Sequence, residues 1–170
     1  MMPTTTALLA RQSTLIAIPE RSFEQRVAEI LAQLSGVRTL VFAFSRPASF
    51  WKDLLKTAGE GNGKILFISL LQFNEKPSPN VVMLSKQLDF NEILYVLDTA
   101  ITSFHPENVL LESRGIMKLY HDRETINRFF AFFSKRVNLA GARVIYCLSK
   151  DLAEAKDPDA VTVDQRLSFD

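Results

Sequence analysis

Five short apolar runs, separated by stretches with helical periodicity, constrain the fold of this chain most strongly. The runs cover residues 14–18, 37–44, 64–71, 108–112 and 142–148. Apolar runs of this length are typical of strands buried on both faces, and apolar residues spaced three or four apart predict helices. Because strands and helices alternate, we predict an α/β fold with right-handed crossovers. The expected architecture is a three-layer α/β/α sandwich with a mostly parallel central sheet of about five strands.

Helix starts are marked by capping residues in front of the periodic stretches. Ser22 and Gln25 stand at capping-box spacing, as do Asp89 and Glu92, and Asp122 is a predicted N-cap. After each of these residues the apolar side chains fall on one helical face. The last helix has the clearest predicted buried face, which consists of Ile126, Phe129, Phe130, Phe133 and Val137.

The chain length of 170 residues fits one domain with a sizeable core. We predict that residues 1–13 form a flexible arm, because they are rich in threonine and aperiodic. Residues 14–151 form the α/β domain. Residues 152–170 are a C-terminal extension, in which an edge strand is predicted at 161–169.

Charge and cysteine content exclude several classes of protein. Twenty basic and 19 acidic residues give a net charge of +1, so no nucleic-acid or membrane partner is expected. Cys147 is the single cysteine, which rules out an intrachain disulfide, and with His105 and His121 it forms no zinc-binding spacing. No signal peptide or apolar run of about 20 residues is present. The expected location is therefore the cytoplasm.

Polar side chains follow the predicted strands where their carboxyl ends should meet, the edge at which open α/β sheets bind ligands. The candidate residues are Glu20, Arg21, Ser45, Arg46, Glu112, Ser113, Ser149 and Lys150. None of the serines lies in a G-x-S-x-G elbow. A Ser113–His121 pair backed by Asp122 or Asp151 is one alternative. A carboxylate pair of Glu112 with Asp151 or Glu20 is another, and a hydrogen-bonded strand-end acid is the third. No catalytic or metal-binding residue is assigned.

Two further patterns have both a structural and a functional interpretation. Gly59, Gly61 and Gly63 follow a helix and precede a strand, the wrong order for a phosphate loop, so a flexible turn is predicted. The last helix carries four basic residues away from its buried face: Arg123, Arg128, Lys135 and Arg136. They form either a solvated face or a contact surface for an acidic partner.

The element order resembles that of the RecA/KaiC-type P-loop ATPases. It resembles more closely an archaeal family of uncharacterised, signalling-associated domains with the same outline. The segment 109–148 carries the likeness, because an apolar strand ending in acid-Ser is followed by a Phe-rich helix and a strand ending in Leu-Ser-Lys. In the ATPases the matching strand bears the Walker B acid, a role the resemblance places at Glu112, followed by Ser113.

The chain departs from these ATPases where their Walker A loop would lie. Residues 19–25 contain neither glycine nor lysine, and Glu20 and Glu24 would repel a polyphosphate. The resemblance then implies a degenerate P-loop, no cofactor, and a non-catalytic domain that contacts proteins in signal transduction or regulation. Self-association into a homo-oligomer is a further expectation. The alternative is a small-molecule- or nucleotide-binding protein, or an enzyme, that uses the carboxyl-end edge of the sheet.

Overall fold

The central layer of the molecule is a parallel sheet. The computed structural model describes residues 2–57, 64–153 and 163–169. Within these ranges the strands are β1 (Ser13–Ile18), β2 (Thr39–Ala43), β3 (Ile65–Ser69), β4 (Val81–Met83), β5 (Asn108–Ser113), β6 (Arg143–Ser149) and β7 (Gln165–Ser168).

The helices in the same ranges are α1 (Thr5–Leu8), α2 (Phe23–Leu34), α3 (Ala48–Thr57), α4 (Phe90–Phe104), α5 (Met117–Tyr120), α6 (Arg123–Leu139) and α7 (Lys150–Ala153). Asp122 caps α6 as predicted, since its carboxylate accepts the Thr125 N–H at 2.8 Å. Asp89 caps α4 in the same way. The predicted cap at Ser22 is wrong. Ser22 closes a 3-10 turn, Glu20–Ser22, and its side chain accepts no N–H from α2.

All strand pairs between these elements are parallel, and the order across the sheet is β4-β3-β2-β5-β6-β1-β7. The predicted three-layer parallel fold is confirmed, but the sheet has seven strands rather than about five. β4 and β7 bring the number to seven, and both are short edge strands with partly exposed side chains. β7 lies within the C-terminal edge strand predicted at 161–169. Such strands lack the continuous apolar run by which the inner strands were recognised.

Each face of the sheet is covered by a separate core. On one face, Val109 and Leu111 of β5 pack with the buried sides of α4 and α6. On the other, Leu110 packs with the buried sides of α2 and α3. Successive residues of a strand point to opposite faces, so β5 contributes to both cores and all six of its residues are buried.

The N-terminal segment, predicted as a flexible arm, contains a short helix and the first residue of β1. Thr4 caps α1, Leu8 is fully buried, and Ser13 already belongs to β1. The predicted glycine turn at Gly59, Gly61 and Gly63 lies outside the described residues, as do residues 161 and 162 of the predicted edge strand. No helix in the described ranges is long and apolar enough to span a membrane.

Two adjacent phenylalanines of α6 allow a test of this packing. Phe133 is fully buried against Phe42, whereas the side chain of Phe132 is 52% exposed. We expect Phe133→Ala to lower the free energy of unfolding by about 3–5 kcal/mol, because it leaves a cavity. Phe132→Ala is the matched control and should change it by less than about 0.5 kcal/mol. Urea denaturation of both variants measures the difference, and equal losses would contradict the assignment of the buried face.

Candidate functional site

Glu112 and Ser45 meet at the carboxyl edge of the sheet. Glu112 is the penultimate residue of β5, and Ser45 lies just beyond the end of β2, the neighbouring strand. The Ser45 N–H donates to Oε1 of Glu112 at 3.0 Å, and the Ser45 hydroxyl is hydrogen-bonded to Oε2. The side chain of Glu112 is fully buried. The acid therefore ties β5 to the connection between β2 and α3.

The surroundings of this carboxyl favour its neutral form. Ala43 and Cys147 flank Glu112 on the adjacent strands. Burial raises the pKa of Glu112 to about 8, although hydrogen bonds from Ser45 oppose the shift. The Trp51 indole also lowers the pKa of Glu112, but it makes no hydrogen bond in the described ranges. Near neutral pH the carboxyl is therefore mostly protonated.

The buried thiol of Cys147 responds to the same surroundings. Burial raises the pKa of Cys147 above its ordinary value, and the neighbouring charge of Glu112 raises it further. A thiol with a raised pKa is a poor nucleophile at neutral pH. Cys147 is therefore a small core residue.

Four charged side chains form a network on the surface of the same edge. Arg114, which follows β5, donates to Glu20 at 2.9 Å and to Glu24 at 2.6 Å. Arg46 donates to the same Glu24 oxygen at 3.1 Å. The network connects the β1–α2 segment with the residues that follow β2 and β5.

The network keeps the carboxylate of Glu24 charged. Burial alone would raise the pKa of Glu24, but hydrogen bonds from its own backbone N–H and from Arg46, with the charge of Arg114, hold that pKa below its usual range. The hydrogen bond to Glu20, in turn, raises the pKa of Arg114. Arg114 was not predicted from the sequence. Its position directly after Ser113 was the available signal, and its partners lie about 90 residues away in the chain.

The remaining predicted residues do not converge on one point. The Ser113 hydroxyl accepts the Gly115 N–H at 3.3 Å, and the Ser149 hydroxyl donates to the Arg114 carbonyl at 3.3 Å. Arg21 is exposed and Lys150 is partly exposed. The structure thus brings together Ser45 with Glu112, and Glu20 with Arg46 through Glu24 and Arg114.

Glu75 is a second polar residue of this edge that was not predicted from the sequence, because it lies in the irregular segment between β3 and β4. Its carboxylate accepts the N–H groups of Ala48 and Ser49 at 2.9 and 2.7 Å. It is also hydrogen-bonded to the hydroxyl of Ser69. Burial alone would raise the pKa of Glu75, but these three donors lower it. A carboxylate of the chain itself therefore occupies the N-terminus of α3.

This edge holds few groups that are free to act on a ligand. Glu112 is inaccessible, while Glu20, Glu24 and Glu75 already have hydrogen-bond donors. In the parts of the chain that the structure describes, no group of three or more His, Cys, Asp or Glu side chains could hold a metal ion. At this edge, the carboxylates of Glu20, Glu24 and Glu75 accept hydrogen bonds from groups of neighbouring segments of the chain.

Comparison with solved structures identifies the fold but no activity. The chain is similar to a KaiC-like protein from the hyperthermophilic archaeon Pyrococcus horikoshii, with a TM-score of 0.55 and 8% sequence identity. The match covers 82% of this chain and 62% of that protein, less than two thirds of its length. No protein-family model matches the sequence, and no curated protein sequence matches it either. The predicted RecA/KaiC-like outline is therefore confirmed at the level of the fold.

The pKa of Glu112 predicts an unusual dependence of stability on pH. Folding raises this pKa from an ordinary value of 4.5 to about 8, so between these values the folded chain holds a proton that the unfolded chain has lost. Glu112 therefore reduces stability as pH rises through this window, by up to about 1.4 kcal/mol per pH unit.

Glu112→Gln should remove this contribution, because the amide cannot ionise but can still accept the Ser45 N–H. We expect the difference in unfolding free energy between variant and wild type to grow in favour of the variant as pH rises from about 5 to about 8. Urea denaturation across this range measures the difference. Parallel profiles for the two proteins would show that Glu112 does not titrate in this way.

Proposed function

We propose that this chain is a non-catalytic, cytoplasmic domain of RecA/KaiC-like fold that acts through protein–protein contact in signal transduction or regulation. The observation that carries the proposal is the state of Glu112. This acid stands where the resemblance places a Walker B carboxylate, yet it is fully buried and hydrogen-bonded through both oxygens to Ser45.

A magnesium-dependent reaction needs an accessible anionic oxygen at this position. Mg²⁺ binds hard oxygen ligands in octahedral geometry and usually keeps several water molecules. With a pKa of about 8, Glu112 is mostly uncharged at neutral pH, and its side chain has no solvent-exposed surface. Both features favour a structural role for the acid.

The connection between β1 and α2 supports the same proposal. A Walker A loop surrounds phosphates with glycine N–H groups and a lysine. Here a 3-10 turn occupies the connection, and Glu20 and Glu24 bind Arg114. A polyphosphate at this position would compete with two carboxylates for the same guanidinium group.

The proposed function predicts that the chain does not bind nucleotides. ATP, ADP or GTP with Mg²⁺ should leave the melting temperature unchanged within experimental error, because a ligand shifts it only by binding the folded state. The Glu20→Gln, Glu24→Gln double variant is the matched control, since it removes the repelling charges without adding a phosphate-binding loop. Magnesium-dependent stabilisation of the wild type by nucleotide would refute the proposal and favour a ligand site at the carboxyl edge.

Self-association is part of this proposal and is tested separately. Among the described residues, β4 and β7 are the outermost strands of the sheet, and edge strands can pair with another chain. We expect light scattering to show a mass above that of the 19.2 kDa monomer as concentration rises. A constant monomer mass at all concentrations would remove the homo-oligomer from the proposal.

A further inference from the structure

Three large apolar side chains are exposed on the outer surface of α4 and α6. Tyr95 is 71% exposed, Phe132 is 52% exposed and Leu139 is 79% exposed. Both helices cover the same face of the sheet. Single exposed apolar residues are common on protein surfaces, so their significance depends on whether they lie together.

An ion pair joins the outer surfaces of the two helices. Arg136 of α6 donates to Asp98 of α4 at 2.5 Å and to the carbonyl of Leu94 at 3.2 Å. Tyr95 lies three residues before Asp98 on its helix. Residues three or four apart are neighbours on a helix surface.

The same spacing holds on α6. Phe132 lies four residues before Arg136, and Leu139 lies three residues after it. The ion pair and this spacing place Tyr95, Asp98, Phe132, Arg136 and Leu139 on neighbouring outward faces of α4 and α6, which we call the α4–α6 strip. It consists of three apolar side chains around one ion pair.

The core does not require these apolar groups. Phe129, Phe130 and Phe133 already fill the space between α6 and the sheet, and all three are buried. Phe132 adds apolar area outside this buried face, and about half of it stays exposed to solvent. Tyrosine, phenylalanine and arginine are the residue types enriched at protein interfaces. The strip thus has the composition of an interface.

The charges around the strip indicate what kind of partner fits. Asp98 is paired with Arg136, and Glu124 is paired with Arg128 at 2.6 Å. Lys135 is exposed beside Phe132 and Leu139, and it makes no ion pair in the parts of the chain that the structure describes. The surplus charge on α6 is therefore positive. A second copy docking on the same surface would bring like charges together.

We propose that the α4–α6 strip binds an acidic amphipathic helix of another protein. Apolar side chains of that helix would cover Tyr95, Phe132 and Leu139, and its carboxylates would face Lys135. Docking of an amphipathic helix by its apolar face is a recurrent mode of protein recognition. This inference rests on the proposed function, because it specifies the surface and the class of partner through which the domain acts.

A synthetic helical peptide provides the test. One labelled peptide carries leucine on one face and glutamate on the other, and a matched peptide carries lysine in place of glutamate. Fluorescence anisotropy with the full chain should show saturable binding of the acidic peptide, weakened by salt, and no binding of the basic one. Absence of saturable binding, or equal binding of both peptides, would overturn the proposal.

Variants locate the binding surface. The double variant Tyr95→Ala, Phe132→Ala should weaken binding of the acidic peptide by about tenfold or more, because it removes two anchors. Lys135→Glu should weaken it as well and should confer binding of the basic peptide. Leu119→Ala is the control, since Leu119 is 79% exposed but lies on α5. If Leu119→Ala weakens binding as much as the double variant does, the binding surface is not the α4–α6 strip.

The experiments also separate failure of the strip proposal from docking of a second copy and from failure of the proposed function. If Tyr95→Ala, Phe132→Ala abolishes a concentration-dependent increase in mass while the peptide does not bind, the occupant is a second copy and the acidic helix is rejected. Failure of the peptide test overturns the strip alone. The nucleotide test concerns the carboxyl edge, so its failure would instead refute the non-catalytic function.

Discussion

Burial of β5 on both faces is the constraint on which the rest of the structure depends. The strand lies between β2 and β6, and its side chains enter the cores on both sides of the sheet. A polar side chain at its end can remain inside only if it is hydrogen-bonded or neutral. Glu112 satisfies both conditions, through Ser45 and through its raised pKa. The acid at the customary ligand edge thus becomes an internal connection between strands.

Several other polar groups of this edge are bound to one another or to backbone groups. Arg114 binds Glu20 and Glu24, and Glu75 accepts the first N–H groups of α3. Exposed pairs of this kind contribute little stability individually, and their main effect is to fix the positions of the loops. A carboxyl edge satisfied by its own residues and an apolar strip on α4 and α6 together motivate the proposal of an interaction domain.

Local sequence patterns correctly predicted features that depend on residues within one or two helical turns of each other. The buried face of α6 follows from its 3.6-residue period, and Asp122 caps that helix across three residues. Ser22 shows the limit of such rules. Its spacing to Gln25 predicted a cap, but the chain leaves β1 through a 3-10 turn that the spacing does not encode. The short edge strands were predicted less completely, because a strand at the edge of a sheet needs no continuous apolar run.

By itself, the sequence determined the alternation of strands and helices, the faces that each buries, and the polar character of the strand ends. These properties depend on residues close together in the chain. Only the tertiary structure decided which strand ends meet, because Ser45 and Glu112 are 67 residues apart and Arg114 and Glu20 are 94 apart. It also decided that Glu112 is buried, that Glu75 caps α3, and that Arg136 of α6 pairs with Asp98 of α4. Each of these outcomes requires crossover connections to bring distant segments together, and no local pattern specifies that arrangement.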